Sequence, residues 1–171
     1  FTCETAPEVT KWMDYGKDHY AAVTFDNAPD NRRVIMAWMS NWQYANQVPT
    51  MQFRSANTIA RDLDLFTHNG VTYAGVTPSK ENAAARGKVL AKRKAVKSMA
   101  FAPNNGVYEI VVDFASSLKR PVEITLRNDK GEKVVMVYDA AEGTFAMNRA
   151  ASGDCKFSDA FPVTTTAPVH G

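Results

Sequence analysis

The chain has 171 residues, 45% of them apolar and 22% charged, with a formal net charge of +2 at pH 7. This composition is close to the globular average, which excludes wholesale disorder and allows one domain or one domain with part of a second. So small a net charge gives no sign of nucleic acid as a partner, and no apolar run approaches the roughly 20 residues of a membrane span.

The chain opens on Phe1 rather than Met and carries no signal-peptide pattern, so a processed or excised chain is expected and this terminus says nothing of location. The first chemistry-bearing stretch is "WMDYGKDHYA", residues 12–21, in which Asp14 and Asp18 flank Gly16 and Lys17. Two carboxylates on a glycine-containing loop beside Trp12, Tyr15 and Tyr20 suit sugar hydroxyls or acid–base work. The same residues also make an ordinary turn, with Asp side chains accepting from nearby backbone N–H groups and Lys17 in solvent.

Strand signals follow. "YAAVTF" (20–25) and "RVIMAWM" (33–39), joined by the turn-rich "DNAPDN", predict a hairpin. The second strand runs into "WMSNWQYANQVPT" (38–50), where large aromatics alternate with side-chain amides. Alternation makes Met36 a core position and Trp38 a core or lining one, while Asn41, Trp42 and Gln43 fall at the strand end, where an aromatic face and amides can meet sugar C–H groups and hydroxyls. "NTIARDLDLF" (57–66) alternates Ile59, Leu63 and Leu65 with charged neighbours, and "VTYAGV" follows a His68-Asn69-Gly70 turn, the clearest short hairpin in the chain.

"SKENAAARG" (79–87) is the one helix-like stretch, with Ser79 as N-cap, Asn82 at N3 and Gly87 as stop, and its shortness predicts a helical turn linking two parts. Beyond it, "KVLAKRKAV", "GVYEIVVDF" (106–114), "PVEITLRND" (121–129) and "EKVVMVYDA" (132–140) predict short strands of an antiparallel β-sandwich. The basic run at 86–97 has no interleaved aromatics and reads as a solvated face or guarded edge rather than a nucleic-acid surface. Cys3 and Cys155 have no motif partner and read as free thiols, while His19, His68 and His170 are too scattered for zinc. No phosphate loop, GxSxG elbow or HExxH is present, and no cofactor is expected. The expected organisation is all-β, with one unit over residues 1–72 and a second over 73–171.

"DYGKDHYAAVTF", "RRVIMAWMSNWQYANQVPT", "FRSANTIARDLDLF" and "FAMNRAASG…FSDAFPV" together resemble glycoside hydrolase family 32, the invertases, levanases and inulinases that cleave β-fructofuranosides. The resemblance is dense over 9–66 and thinner to 171. It implies the last strands, a remnant, of a five-bladed β-propeller followed by an antiparallel β-sandwich, and a retaining mechanism with two carboxyl groups. The family carries its nucleophile, stabilising aspartate and acid/base in Asn-Asp-Pro, Arg-Asp-Pro and Glu-Cys motifs. None of these occurs here, and "TCET" does not make Glu4 the acid/base.

By resemblance, Asp14 and Lys17 match "DYGK" at the rim of the sugar pocket. Asp18 and Tyr20 match "DFYA", with His19 in place of Phe. Asn41 and Trp42 match "SNW", whose aromatic lines the fructose subsite, and Asn148-Arg149-Ala150 stands for a structural Asp-Arg-Ser. The resemblance implies a fructan or fructo-oligosaccharide substrate for the complete enzyme, an extracellular or periplasmic location, no nucleic acid and no membrane span. The chain itself is expected to be an incomplete piece, inactive alone, with open sheet edges available for self-association. A non-catalytic carbohydrate-binding sandwich module is the alternative.

Overall fold

The computed structural model describes residues 2–3, 5–95, 97–100, 106–114 and 118–169. Two antiparallel sheets follow one another along the chain, and among the described residues the only helical segments are short 3₁₀ turns.

The first sheet contains β1 (Tyr20–Thr24), β2 (Val34–Met39), β3 (Ala56–Asn57), β4 (Arg61–His68) and β5 (Val71–Pro78), in the order β1-β2-β4-β5 with β3 also on β2. The expected hairpin of β1 and β2 forms, with Tyr20 opposite Trp38 and Thr24 opposite Ile35. A register shift between Tyr20 and Val23 coincides with Ala21 at a φ of 49°, as in a β-bulge. The β4–β5 hairpin turns on Asn69 and Gly70, with φ of 49° and 76°. Both central residues thus take the positive φ that a two-residue hairpin needs, which asparagine and glycine tolerate best.

The strand phase of β2 differs from expectation. Ile35 and Ala37 are its buried positions, while Met36 and Trp38 share the opposite, partly open face. Side-chain size misleads here because the small Ala37 lies inside and the large Trp38 is only half-buried. In β4 coverage follows position along the strand more than side-chain type: Arg61, Asp62 and Leu63 are partly covered, while Leu65 is exposed.

Asp62 is covered for a reason. Arg32 donates to Asp62 Oδ1 (2.9 Å) and to both Glu81 oxygens (2.7 and 2.8 Å), and Ser79 Oγ donates to the same Asp62 oxygen at 2.9 Å. The Arg32 guanidinium holds the Glu81 carboxyl at about 2 and lowers that of Asp62. This network pins the 3₁₀ turn Lys80–Ala85 to the sheet. Ser79 therefore spends its hydroxyl on Asp62 and gives no side-chain cap. The short helical turn expected here forms as a 3₁₀ turn whose Asn82 amide donates to Ala60 O and Ser79 O.

The second sheet is a meander of β6 (Val122–Arg127), β7 (Lys133–Asp139), β8 (Thr144–Ala151) and β9 (Thr165–Pro168). Val122, Ile124 and Leu126 are half-covered while Glu123, Thr125 and Arg127 are exposed, the alternation read from "VEITLR". The strands expected at 88–96 and 106–114 do not form among the described residues, and Val96 of the first lies outside them. An ion pair of 2.7 Å ties Arg86, at the end of the 3₁₀ turn, to Glu109 of the second segment.

Among the described residues the buried apolar side chains are Ile35, Ala37, Tyr44, Ala45 and Cys155. Four of the five lie on β2 or the turn after it. The packing centre is therefore where β2 leaves its sheet, beside the second unit.

Candidate functional site

Two loops meet at the end of β2. The first is 14–18, leading into β1; the second is the turn 41–45, in which the Tyr44 and Ala45 amides donate to Asn41 O at 3.1 and 2.8 Å. The sequence dictates both bends. Asp14 Oδ1 accepts from Gly16 N (2.7 Å) and Asn41 Oδ1 from Gln43 N (2.9 Å), each side chain closing a turn on the residue two positions on. Gly16 leaves room for this turn, since a Cβ there would lie 2.9 Å from Asp14 Oδ1 and displace that carboxylate.

The loops are stitched together. Asn41 Nδ2 donates to Lys17 O (2.8 Å) and Lys17 Nζ donates to Gln43 Oε1 (2.7 Å). Lys17 is thus held at the surface rather than free in solvent. Trp42, at the crest of the turn, remains 63% exposed. Its ring lies 4.9 Å from that of Trp38, and Tyr20 meets both indoles edge-on at 6.2 and 6.4 Å. Trp38 is fixed in turn by donating its indole N–H to Ser55 Oγ. An open aromatic face backed by rigid aromatics, with an ammonium and amides alongside, can stack on sugar C–H groups and bond hydroxyls.

The two aspartates are engaged differently. Arg61 donates to Asp14 Oδ2 at 2.6 Å, and His19 Nδ1 lies 3.6 Å from the same oxygen. Asp18 gives one oxygen to the Tyr44 hydroxyl and the other to Arg149 of β8. Four of the five expected site residues, Asp14, Lys17, Asn41 and Trp42, come together on this face. Asp18 instead bonds Tyr44 and, in the second unit, Arg149. Gln43, expected beside Asn41 and Trp42, joins the cluster, and so does Arg61, which was not expected. The "ARD" of β4 carries no distinguishing signal for Arg61, whereas Gln43 was legible from its place between Trp42 and Tyr44.

His19 is a buried polar group with no partner: its side chain is 7% exposed and neither ring nitrogen has a hydrogen bond. Burial, with a smaller contribution from Arg61, outweighs the pull of Asp14 and lowers its pKa below the ordinary 6.5. An unfolded chain therefore takes up this proton first as pH falls. Stability is full above about pH 6.5 and declines as pH drops toward the folded value. Replacing His19 with Phe should stabilise by about 1 kcal/mol near neutrality, since two unsatisfied buried atoms are removed. The gain should widen toward about pH 5. Thermal melts across that range check this, and parallel profiles for both proteins would contradict it.

Among the described residues no group of His, Cys, Asp and Glu could hold a metal ion, and no helix is long and apolar enough to cross a membrane. Cys3 is exposed, Cys155 is buried, and both are free thiols. An apolar groove on the second sheet, lined by Phe114, Ile124, Met136, Tyr138, Phe145 and Val169, lies away from the Trp42 cluster. Its lining offers a sugar almost no polar partner.

Residues 1–74 match the glycosyl hydrolases family 32 N-terminal domain, and residues 73–171 match the glycosyl hydrolases family 32 C-terminal domain. A levanase of Bacillus subtilis is 35% identical over 99% of this chain and 26% of its own length. An extracellular exo-inulinase of Meyerozyma guilliermondii is 32% identical over 92% of this chain and 34% of its own. The solved exo-inulinase of Aspergillus awamori superposes with a TM-score of 0.74 at 25% identity, covering 92% of this chain and 32% of that one. The chain thus spans between about a quarter and a third of the length of these relatives.

Proposed function

The chain belongs to glycosyl hydrolase family 32, and from that premise we propose that the whole protein hydrolyses β-fructofuranosides of the fructan or sucrose type. Levanase and exo-inulinase relatives support this substrate class, and the extracellular exo-inulinase supports an extracellular location. The proposed division of labour is a propeller part over 1–72, which walls the sugar site, and a sandwich part over 73–171.

The observation that carries the reading is the exposed Trp42 face held between Asn41, Lys17 and Gln43. Trp42 stacks on the fructosyl ring; Lys17 and Asn41 orient hydroxyls. Asp14 and Asp18 position rather than react. Each already carries an arginine on one oxygen and a further donor on the other. A retaining glycosidase needs one carboxylate free to attack and one carboxyl able to give a proton, standing about 5 Å apart. Those two groups are proposed to lie outside these 171 residues. The open edges of the two sheets support pairing with further segments of the whole protein or with a second copy.

Fructose release from levan, inulin and sucrose tests the proposal. The whole protein should release it from at least one of them, and the 171-residue chain alone from none. A whole protein inert on all three, or an active isolated chain, would overturn this assignment.

A further inference from the structure

Among the described residues, Arg149 of the second sheet bonds both Asp18 and Tyr44, and every nitrogen of its head group is committed. Nε donates to Phe161 O at 2.8 Å, Nη1 to Asp18, and Nη2 to the Tyr44 hydroxyl at 2.8 Å. The guanidinium carbon sits 3.8 Å from the Phe161 ring centroid, and Tyr44 packs edge-on against Phe161 at 5.5 Å. Its side chain is 15% exposed and that of Asp18 19%, so water competes little for these bonds. Asp18 is the last residue of the first site loop and Tyr44 closes the turn of the second. One planar fork therefore fastens both loops, the first through Asp18 and the second through Tyr44, and these are the loops that carry Lys17, Asn41 and Trp42.

We infer that Arg149 is a positioning residue for the sugar site: the second unit, through Arg149 on Asp18 and Tyr44, fixes the separation and tilt of the two loops that present Lys17 and Trp42. A planar, permanently charged fork suits this task, because its donors point in fixed directions. A lysine could neutralise Asp18 but could not also hold Tyr44 and Phe161 O in set geometry. The inference rests on the proposed fructoside reading, and it assigns to the second unit a part in recognition.

The test compares Arg149→Gln and Arg149→Lys with the wild type in the whole protein, well below the melting temperature of each variant. With fructo-oligosaccharide, Arg149→Gln should raise KM by about five- to tenfold while kcat stays within about twofold, since the wall moves and the reacting carboxyls do not. Arg149→Lys should fall between. Amide exchange at Tyr44 and Ala45 should quicken by about tenfold in Arg149→Gln, as the turn loses its anchor. A folded Arg149→Gln with KM within about twofold of wild type, or one whose loss falls on kcat alone, would overturn the inference. So would failure of both variants to fold, since Arg149 would then support the fold at large. If the wild type itself cleaves no fructoside, the substrate reading fails and this inference with it. If the wild type cleaves and Arg149→Gln matches it, this inference alone fails.

Discussion

Replacing Tyr44 with Ala should lower the unfolding free energy by about 3–5 kcal/mol, the range for removing a buried aromatic. Tyr44 is 2% exposed and sits at the junction of the two units, against Phe157 and Phe161 and beneath Arg149. Deleting the ring leaves a cavity between the units and strips both Asp18 and Arg149 of a partner. Tyr44→Phe separates these effects. It keeps the packing and removes only the hydroxyl, so a loss of about 1–3 kcal/mol is expected from the two groups left short of a hydrogen bond.

The phenol adds a signature in alkaline solution. Burial first, and then the bond to Asp18, push its pKa up to about 12 from the usual 10.0. An unfolded chain loses this proton first as pH rises, so the Tyr44 contribution is full below the unfolded value. It declines as pH climbs through the folded one. Tyr44→Phe should lack this decline. Denaturant titrations of the three proteins give the free energies, and a Tyr44→Ala loss below about 1 kcal/mol would remove the junction from the account.

The second large effect concerns Trp42. Trp42→Ala in the whole protein should raise KM for fructo-oligosaccharide by about tenfold, equivalent to about 1.4 kcal/mol, with kcat little changed. The indole is 63% exposed, so its removal opens no core cavity. The stability cost should be limited to its contacts with Trp38 and Tyr20, about 1 kcal/mol. Trp42→Phe should recover most of the affinity, because a smaller aromatic face remains. Steady-state kinetics with thermal melts separate recognition from stability, and an unchanged KM in Trp42→Ala would exclude Trp42 from the site.

The hairpins were legible because their causes are local: Asn69-Gly70 accepts the positive φ of a tight turn, and "VEITLR" alternates on a half-covered sheet. Burial on β2 was not, because which face is covered depends on what packs against it. Size favoured Trp38, whereas Ile35 and Ala37 are the buried positions of the strand. Ser79 looked like a cap until Asp62, seventeen residues earlier, claimed its hydroxyl. The segments at 88–96 and 106–114 have strand composition but carry no strand among the described residues, and composition alone cannot supply a ladder partner.

Within the site, the Asp14–Lys17 and Asn41–Trp42 stretches stood out because aromatics, amides and charges crowd short loops. Asp18 looked equivalent to Asp14, and only its bonds to Tyr44 and Arg149 distinguish it. Arg149 lies 131 residues from Asp18. A lone arginine in a strand carries no local sign of a partner so far away.

The position of a bound sugar tests the central claim most directly. A crystal structure of the whole protein, inactivated and soaked with fructo-oligosaccharide, should show a fructosyl ring against the Trp42 face, with hydroxyls in reach of Lys17 and Asn41. A sugar bound elsewhere, with Trp42 still open to solvent, would contradict it.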